Sequence, residues 1–310
     1  MKNSNYIEMK QCNVFSIKFP TDNIVDVLEN AVFDDETLVK IEIVNNPLVK
    51  RKVIHLENGL FFTMRTTFKK ITKEVLSNKI FELKNKSEYK VQDFSEKEWE
   101  SLAKEDLFND LPYSSEYLNV YYCPEKEILF TNNKSKNSKY ALNSLIDLFE
   151  LIGYRSIVVS NEKLGLNTKL KSYLESNQPL FKYLNFQNEV TLRKFDNGDE
   201  EFLTCRHLDK EDGREKALSA LNNGFVVQSM VMSYEQENFA INFKLDEHLK
   251  LRSIRVKDFA YNSKILNQSD FKGRKQIFLD YIQLQFNSLL KIAECTVLEF
   301  TSETKLEKFV

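Results

Sequence analysis

The sequence predicts an α+β fold of mixed antiparallel sheets and helices, and three observations carry that expectation. Short runs in which apolar and polar residues alternate recur along the chain, bounded by turn residues. Segments with apolar residues at helical spacing lie between them without strict strand–helix–strand alternation, so a doubly wound parallel sheet does not fit. The 310 residues include only seven Gly and five Pro, which leaves elements long and sparsely broken.

In chain order, "CNVFSIKF" reads as a strand, with Val14, Ser16 and Lys18 alternating with Phe15, Ile17 and Phe19. It stops at Pro20, and Thr21 or Asp22 is placed to cap a short helix through Phe33. "VKIEIVNN", "RKVIHL" and "NGLFFTMRTTF" follow as strands around turns at Asn45 to Pro47 and Asn58-Gly59. A helix over about Ile71 to Lys90 puts Val75, Leu76, Ile80 and Leu83 on one face, and a second opens with a capping box, Ser95 and Glu98. The second carries Trp99, Leu102, Leu107 and Phe108 to Leu111-Pro112, and the pair is expected to project as a subdomain. Eight cations face three acids from Gly59 to Lys90, and two face seven from Val91 to Asp110, so this pair is bipolar.

A hairpin turns at Pro124 and Glu125, and a helix then buries Leu142, Leu145, Ile146, Phe149 and Ile152 and stops at Gly153. Lys134, Lys136 and Lys139 mark its start, with no acid expected nearby. "RSIVVS" reads as a strand and Leu164 to Ser176 as a helix. Beyond Pro179, "EVTLRKF" and "EEFLTCR" flank the hairpin signal Asp196-Asn197-Gly198-Asp199. A helix over Gly213 to Asn222 ends at Gly224, and "FVVQSMVMSY", "NFAINFKL" and "LKLRSIRVK" form a meander. A long helix, Arg274 to Ala293, and a short strand, "CTVLEF", close the chain. The helix's apolar stripe, Phe286 and Leu289 included, is wide enough for a core plus a partner subunit. The expected units are residues 1–70 with 112–178, a helical tip over 71–111, and a C-terminal α+β portion over 179–310.

A net charge of −2 argues against a uniformly basic nucleic-acid binder but says nothing about local distribution. Cys12, Cys123, Cys205 and Cys295 are scattered, as expected of reduced thiols, and no signal peptide or membrane-spanning stretch is recognisable, so a cytoplasmic protein is expected. No G-x-G-x-x-G, G-x-x-x-x-G-K or G-x-S-x-G is present, and His55, His207 and His248 lack ligand spacing. A non-catalytic protein without metal or cofactor is expected. The alternatives are a metal-dependent nuclease using Asp196, Asp199 and Glu200, which a solvated hairpin tip explains more simply, and a protein-interaction adaptor using the acidic stretch Asp93 to Asp110.

The informative stretch is "KLRSIRVKDF". Alternation sets Ile254 and Val256 against Ser253, Arg255 and Lys257, and leaves Arg252 with the apolar set, to pair or snorkel at the sheet margin. Lys136 and Lys139 at a helix start, Arg206 and His207 at a strand end, and Lys69, Lys70 and Lys73 before another helix repeat the arrangement. Together they would make a sequence-blind track for a polyanion.

The order of segments resembles the RdgC family of recombination-associated, DNA-binding proteins. The parts that carry this are "NGLFFTMR" before the polar helices, "DLP" after them, "YYCPEKEILFTNN", "NNGFVVQSMVMSY" and "LKLRSIRVKDF". The resemblance implies a ring-shaped homodimer, nucleoid-associated, that encircles double-stranded DNA without reading sequence and antagonises RecA. It implies DNA contacts at Arg206 and His207, aligns a family lysine with Phe225, where the contact is lost, and puts ring closure near Tyr113 or Tyr117 in "YSSEYL".

Overall fold

The computed structural model describes residues 9–33, 39–86, 94–110, 113–132, 135–153, 155–156, 165–176, 179–196, 198–236, 239–246, 250–257 and 270–300. The α+β class is as expected. A 12-stranded sheet runs β2-β4-β5-β6-β1-β12-β11-β10-β8-β9, with β3 on β4 and β7 on β1. Its strands are β1 (Gln11–Ser16), β2 (Val39–Ile43), β3 (Val53–Leu56), β4 (Gly59–Lys69), β5 (Tyr113–Cys123), β6 (Ile128–Thr131), β7 (Arg155–Ser156), β8 (Asn185–Asp196), β9 (Asp199–Arg206), β10 (Val226–Gln236), β11 (Phe239–Asp246) and β12 (Leu251–Lys257). Neighbours pair antiparallel throughout. The helices are α1 (Ile24–Glu29), α2 (Lys73–Asn85), α3 (Glu96–Asp110), α4 (Lys136–Leu148), α5 (Leu166–Ser176), α6 (Glu211–Asn222) and α7 (Phe271–Phe300).

β1 joins the halves. Its Asn13 to Ser16 pair with β6, and its Gln11 and Cys12 with Arg252 and Leu251 of β12. One core therefore runs across residue 179, uniting Cys12, Val14 and Phe130 with Val190, Phe243 and Leu251. On that face lie α5, α6 and α7. On the other face, Phe15, Leu118 and Leu129 pack against Ala141, Leu142, Leu145 and Ile146 of α4 and against Leu28 of α1. Among the described residues, the N-terminal half of the sheet is thus covered on both faces, and the C-terminal half on one.

α7 is the inner slab of this arrangement. Phe286 is fully buried and stacks on Tyr121, centroids 5.7 Å apart, and Gln285 accepts a 3.0 Å hydrogen bond from the Tyr121 hydroxyl. Lys126 and Glu294 pair at 2.6 Å, tying the helix to the β5–β6 turn. Gly59 is required by this approach, since a Cβ there would lie 2.4 Å from Phe286 Cζ and 2.4 Å from the Tyr122 carbonyl oxygen.

Several expectations change. Phe286 and Leu289 are core residues, so the wide stripe of α7 is filled by the protein's own sheet and leaves neither of them for a partner. "CTVLEF" continues α7 as helix; Thr296, a residue with strand preference, bonds its hydroxyl to the Ile292 carbonyl at 2.7 Å and stays buried. α4 ends earlier than expected, Glu150 taking a left-handed φ of 54°, which leaves Ile152 fully exposed. Asn23 rather than Thr21 or Asp22 precedes α1. Most of "RSIVVS" and Leu111-Pro112 lie outside the described residues.

The helical pair is as the capping box implied: Ser95 N–H donates to Glu98 Oε2 at 2.7 Å, and Glu98 N–H to Ser95 Oγ at 3.4 Å. α2 and α3 enclose a small core of their own, Leu83, Trp99 and Ala103, distinct from both sheet cores.

Candidate nucleic-acid interface

The uncovered face of the C-terminal half collects cations, and a bulge in β12 helps to do so. Between Asn242–Arg255 and Lys244–Arg252 the register takes one more residue on β12 than on β11, and Ser253 absorbs it with a φ of 52°. Leu251 and Ile254 consequently both point into the core, while Arg252 and Arg255 are both exposed. This corrects the expectation for Arg252, which strict alternation left on the apolar side. Lys257 lies in β12 opposite Ala240, and its side chain is outside the described residues.

Carboxylates align most of these cations. Glu189 on β8 accepts from Arg206 Nε at 3.0 Å and pairs with Lys244 Nζ at 3.6 Å, which puts β8, β9 and β11 residues on one surface. Asp246, buried, pairs with Arg252 at 3.1 Å and accepts the Lys250 N–H at 2.8 Å. Arg193 and Glu200 pair at 3.4 Å. Apart from the pair with buried Asp246, such largely exposed pairs contribute about 0–1 kcal/mol, so their effect here is orientation more than stability. Arg255 has no acidic partner among the described residues.

Lys136 and Lys139 lie on the same side of the sheet, at the start of α4. Alternation along β1 puts Gln11 and Asn13 on the side of Phe15, the side that α4 covers, and Gln11 pairs with Arg252 while Asn13 pairs with Thr131, the last residue of β6. α4 starts just beyond β6 with Lys136 and Lys139 exposed, and it packs over β4 and β5. Ser135 and Ser138 cap the helix reciprocally, at 2.9 and 3.1 Å. Glu116 of β5 also accepts from the Ser135 hydroxyl. The expectation of no acid at this helix end is therefore corrected: Glu116 already occupies it, and the two lysines rather than the helix terminus are the free cationic groups. Lys134 lies outside the described residues.

Other expected residues stand elsewhere. Lys69 and Lys73 are separated from β12 by β5, β6 and β1, and Lys69 Nζ sits 4.8 Å from the centroid of Tyr113, an exposed ring at the start of β5. Tyr117 is half-buried in the ladder and hydrogen-bonded to Arg65, whose pKa is raised first by its hydrogen bond to Glu42 and then by the accompanying carboxylate charge. Tyr117 is thus a sheet residue and not a tip residue. His207 is exposed at the end of β9 with a φ of 56°. Lys244 was missed, although its alternation with Phe243 and Leu245 in "NFAINFKL" carried the signal.

Asp196 and Asp199 close the β8–β9 hairpin around Gly198, and Glu200 is held by Arg193. Among the described residues no group of His, Cys, Asp or Glu is arranged to hold a metal ion, and no helix is long and apolar enough to cross a membrane. Cys12, Cys123 and Cys205 are buried, and desolvation raises each thiol's pKa, the environment of an inert cysteine. No known protein family matches the chain, and no curated protein matches it.

Proposed function

We propose that the protein binds the phosphate backbone of double-stranded DNA, without reading sequence and without chemistry of its own, along the bare face of the C-terminal half of the sheet. The observation that carries this reading is the gathering of Arg206, Lys244, Arg252 and Arg255 on one surface left open by the described residues, with Lys136 and Lys139 exposed at the start of α4 on the same side of the sheet. A strand face of Lys and Arg meets phosphate oxygens at many registers and reaches no base edge, so the binding is positional and not specific. The resemblance to the RdgC family supports a fuller version: a homodimeric ring around the duplex, in the nucleoid, obstructing RecA-type recombination.

Most of the cations already have a carboxylate, so counterion release falls chiefly to Arg255, Lys136 and Lys139. Engaging about three phosphates gives a loss of roughly fortyfold in affinity between about 50 and 200 mM salt. The triple reversal Arg255→Glu, Lys136→Glu, Lys139→Glu disrupts no ion pair among the described residues. Its circular dichroism should match the wild type while its binding to duplexes of unrelated sequence falls together, by about tenfold or more at low salt, with a shallower salt slope. Equal binding by wild type and variant, or a wild-type affinity abolished by EDTA, counts against the proposal.

A further inference from the structure

We propose, as an extension that rests on the phosphate-binding reading, that Arg206 and Lys244 form a seat for one phosphate group. The protein keeps that seat filled with its own carboxylate, Glu189, which a bound polyanion must displace. Glu189 is then a built-in competitor that limits the grip of the bare face.

The geometry is that of a doubly held anion. Glu189 Oε2 accepts from Arg206 Nε at 3.0 Å, and Glu189 Oε1 lies 3.6 Å from Lys244 Nζ. Arg206 stands on β9 directly opposite Glu189, whereas Lys244 stands on β11 and reaches across β10. Two cations from separate strands thus converge on two oxygens of a single centre, the pattern that a phosphodiester also presents. Both cations remain open to solvent, the Arg206 side chain at 67% and Lys244 at 37% of full exposure, against 24% for Glu189. A phosphate reaches the cations from outside, and the carboxylate is the more enclosed member.

An incidental surface pair needs no special backbone, and this one has it. Between Val190–Met230 and Phe186–Met232, three residues of β8, Gln187, Asn188 and Glu189, stand against one of β10, Val231. A bulge of this kind re-aims the side chain it carries. Its other two residues are pinned. Gln187 Nε2 donates to the Ser233 hydroxyl at 2.8 Å. The Asn188 side chain accepts from the Tyr173 hydroxyl at 2.7 Å, and its carbonyl accepts from the Leu208 N–H at 3.3 Å. Asn188 and His207, which flank the Glu189–Arg206 pair, take left-handed φ values of 54° and 56°. Left-handed residues other than glycine persist only where the surrounding structure holds them, so the carboxylate is placed by the fold.

A cation already neutralised by a carboxylate releases no counterion when phosphate takes its place. Arg206 and Lys244 therefore add little to affinity or to its salt dependence until the Glu189 charge is removed.

The experiment measures binding of the full chain to a duplex of arbitrary sequence between about 50 and 200 mM salt. Glu189→Gln keeps the shape of the side chain and removes its charge. It should bind about fivefold more tightly at the lower salt, and its loss across the range should rise from the wild type's roughly fortyfold to roughly 150-fold or more, one further phosphate being engaged. Glu189→Ala should steepen the slope in the same way, so that the packing of neither variant decides the result. Glu201→Gln removes the same charge from β9 on the opposite side of the sheet and should leave the slope unchanged. In a chain carrying Arg206→Gln and Lys244→Gln, Glu189→Gln should no longer steepen the slope, whereas a general change in net charge acts in every background. Folded Glu189 variants with the wild-type slope, or a steepening that persists without Arg206 and Lys244, overturn the proposal and leave the phosphate reading standing. Unfolding of both Glu189 variants means that this residue holds the bulge and not the cations, and overturns it equally. Absence of binding by every chain at low salt overturns the phosphate reading and this extension with it.

Discussion

The two halves of one sheet bury their residues differently. In the N-terminal half Leu60 to Met64 are buried without interruption, as are Leu118 to Cys123 and Ile128 to Thr131, because helices cover both faces. In the C-terminal half Val190 and Leu192 are buried while Glu189, Thr191 and Arg193 between and beside them are not. Covering both faces converts a strand into a continuous apolar run; covering one leaves every second residue free for charge. Within this sheet, therefore, the C-terminal half is where side chains are available for recognition.

The largest expected difference between the halves is in stability. Phe286→Ala empties a site enclosed by Tyr121, Phe130 and the Gly59 backbone, and should cost about 3–5 kcal/mol in urea unfolding. Arg255→Ala, on the bare face, should fall within about 0.5 kcal/mol of wild type. Similar losses from the two would erase the distinction between covered and open halves.

A smaller effect separates two glycines that look alike in sequence. Gly59 is needed for space, and Gly59→Ala should destabilise by about 1–3 kcal/mol, because neither the Phe286 ring nor the Tyr122 carbonyl can recede from a Cβ at 2.4 Å without disturbing the core. Gly224, after α6 in the C-terminal half, is needed for its φ of 85°, with only Lys194 Cε at 4.0 Å from a Cβ. Asparagine tolerates that conformation better than other side chains, so Gly224→Asn should be mild and Gly59→Asn severe. Equal thermal shifts for the two asparagine variants would show that space is not what fixes Gly59.

These contrasts also mark what the sequence could disclose. The α+β class, the β8–β9 hairpin, the capping box at Ser95 and the outward placement of Arg255 follow from local patterning, and each is present. Arg252 was misplaced because a bulge at Ser253 has no Gly or Asn to announce it, and one added residue reverses the alternation that follows. The breadth of the stripe on α7 was legible, but what fills it was not, since the sheet around Tyr121 meets Phe286 only through contacts of long sequence separation. Glu116 reaches Ser135 in the same way, across β5 and β6, and so the acid at the start of α4 could not be seen locally.

The smallest expected effect concerns the helical pair, which shares neither sheet core and should respond to acid separately. Trp99 is the only tryptophan of the chain and lies in that small core, with Phe94 edge-on at 5.0 Å, so its emission reports this region alone. Two carboxylates there are held below their usual range: Glu98 by hydrogen bonds from the Ser95 hydroxyl and backbone N–H, and Asp106 by its hydrogen bond and ion pair with Lys79. A depressed folded-state pKa means that the stabilisation is complete above the unfolded carboxylate range and disappears as pH falls through the folded values. The window therefore lies below about pH 4. Both groups are exposed, so the effect should be a modest loosening and not collapse. On acid titration the Trp99 emission should shift before the far-ultraviolet signal of the sheet, and Glu98→Gln, which keeps the capping geometry but cannot titrate, should flatten part of that early shift. A Trp99 transition that coincides with loss of the sheet would mean that the helical pair unfolds with the sheet, and that its separate core confers no independent stability.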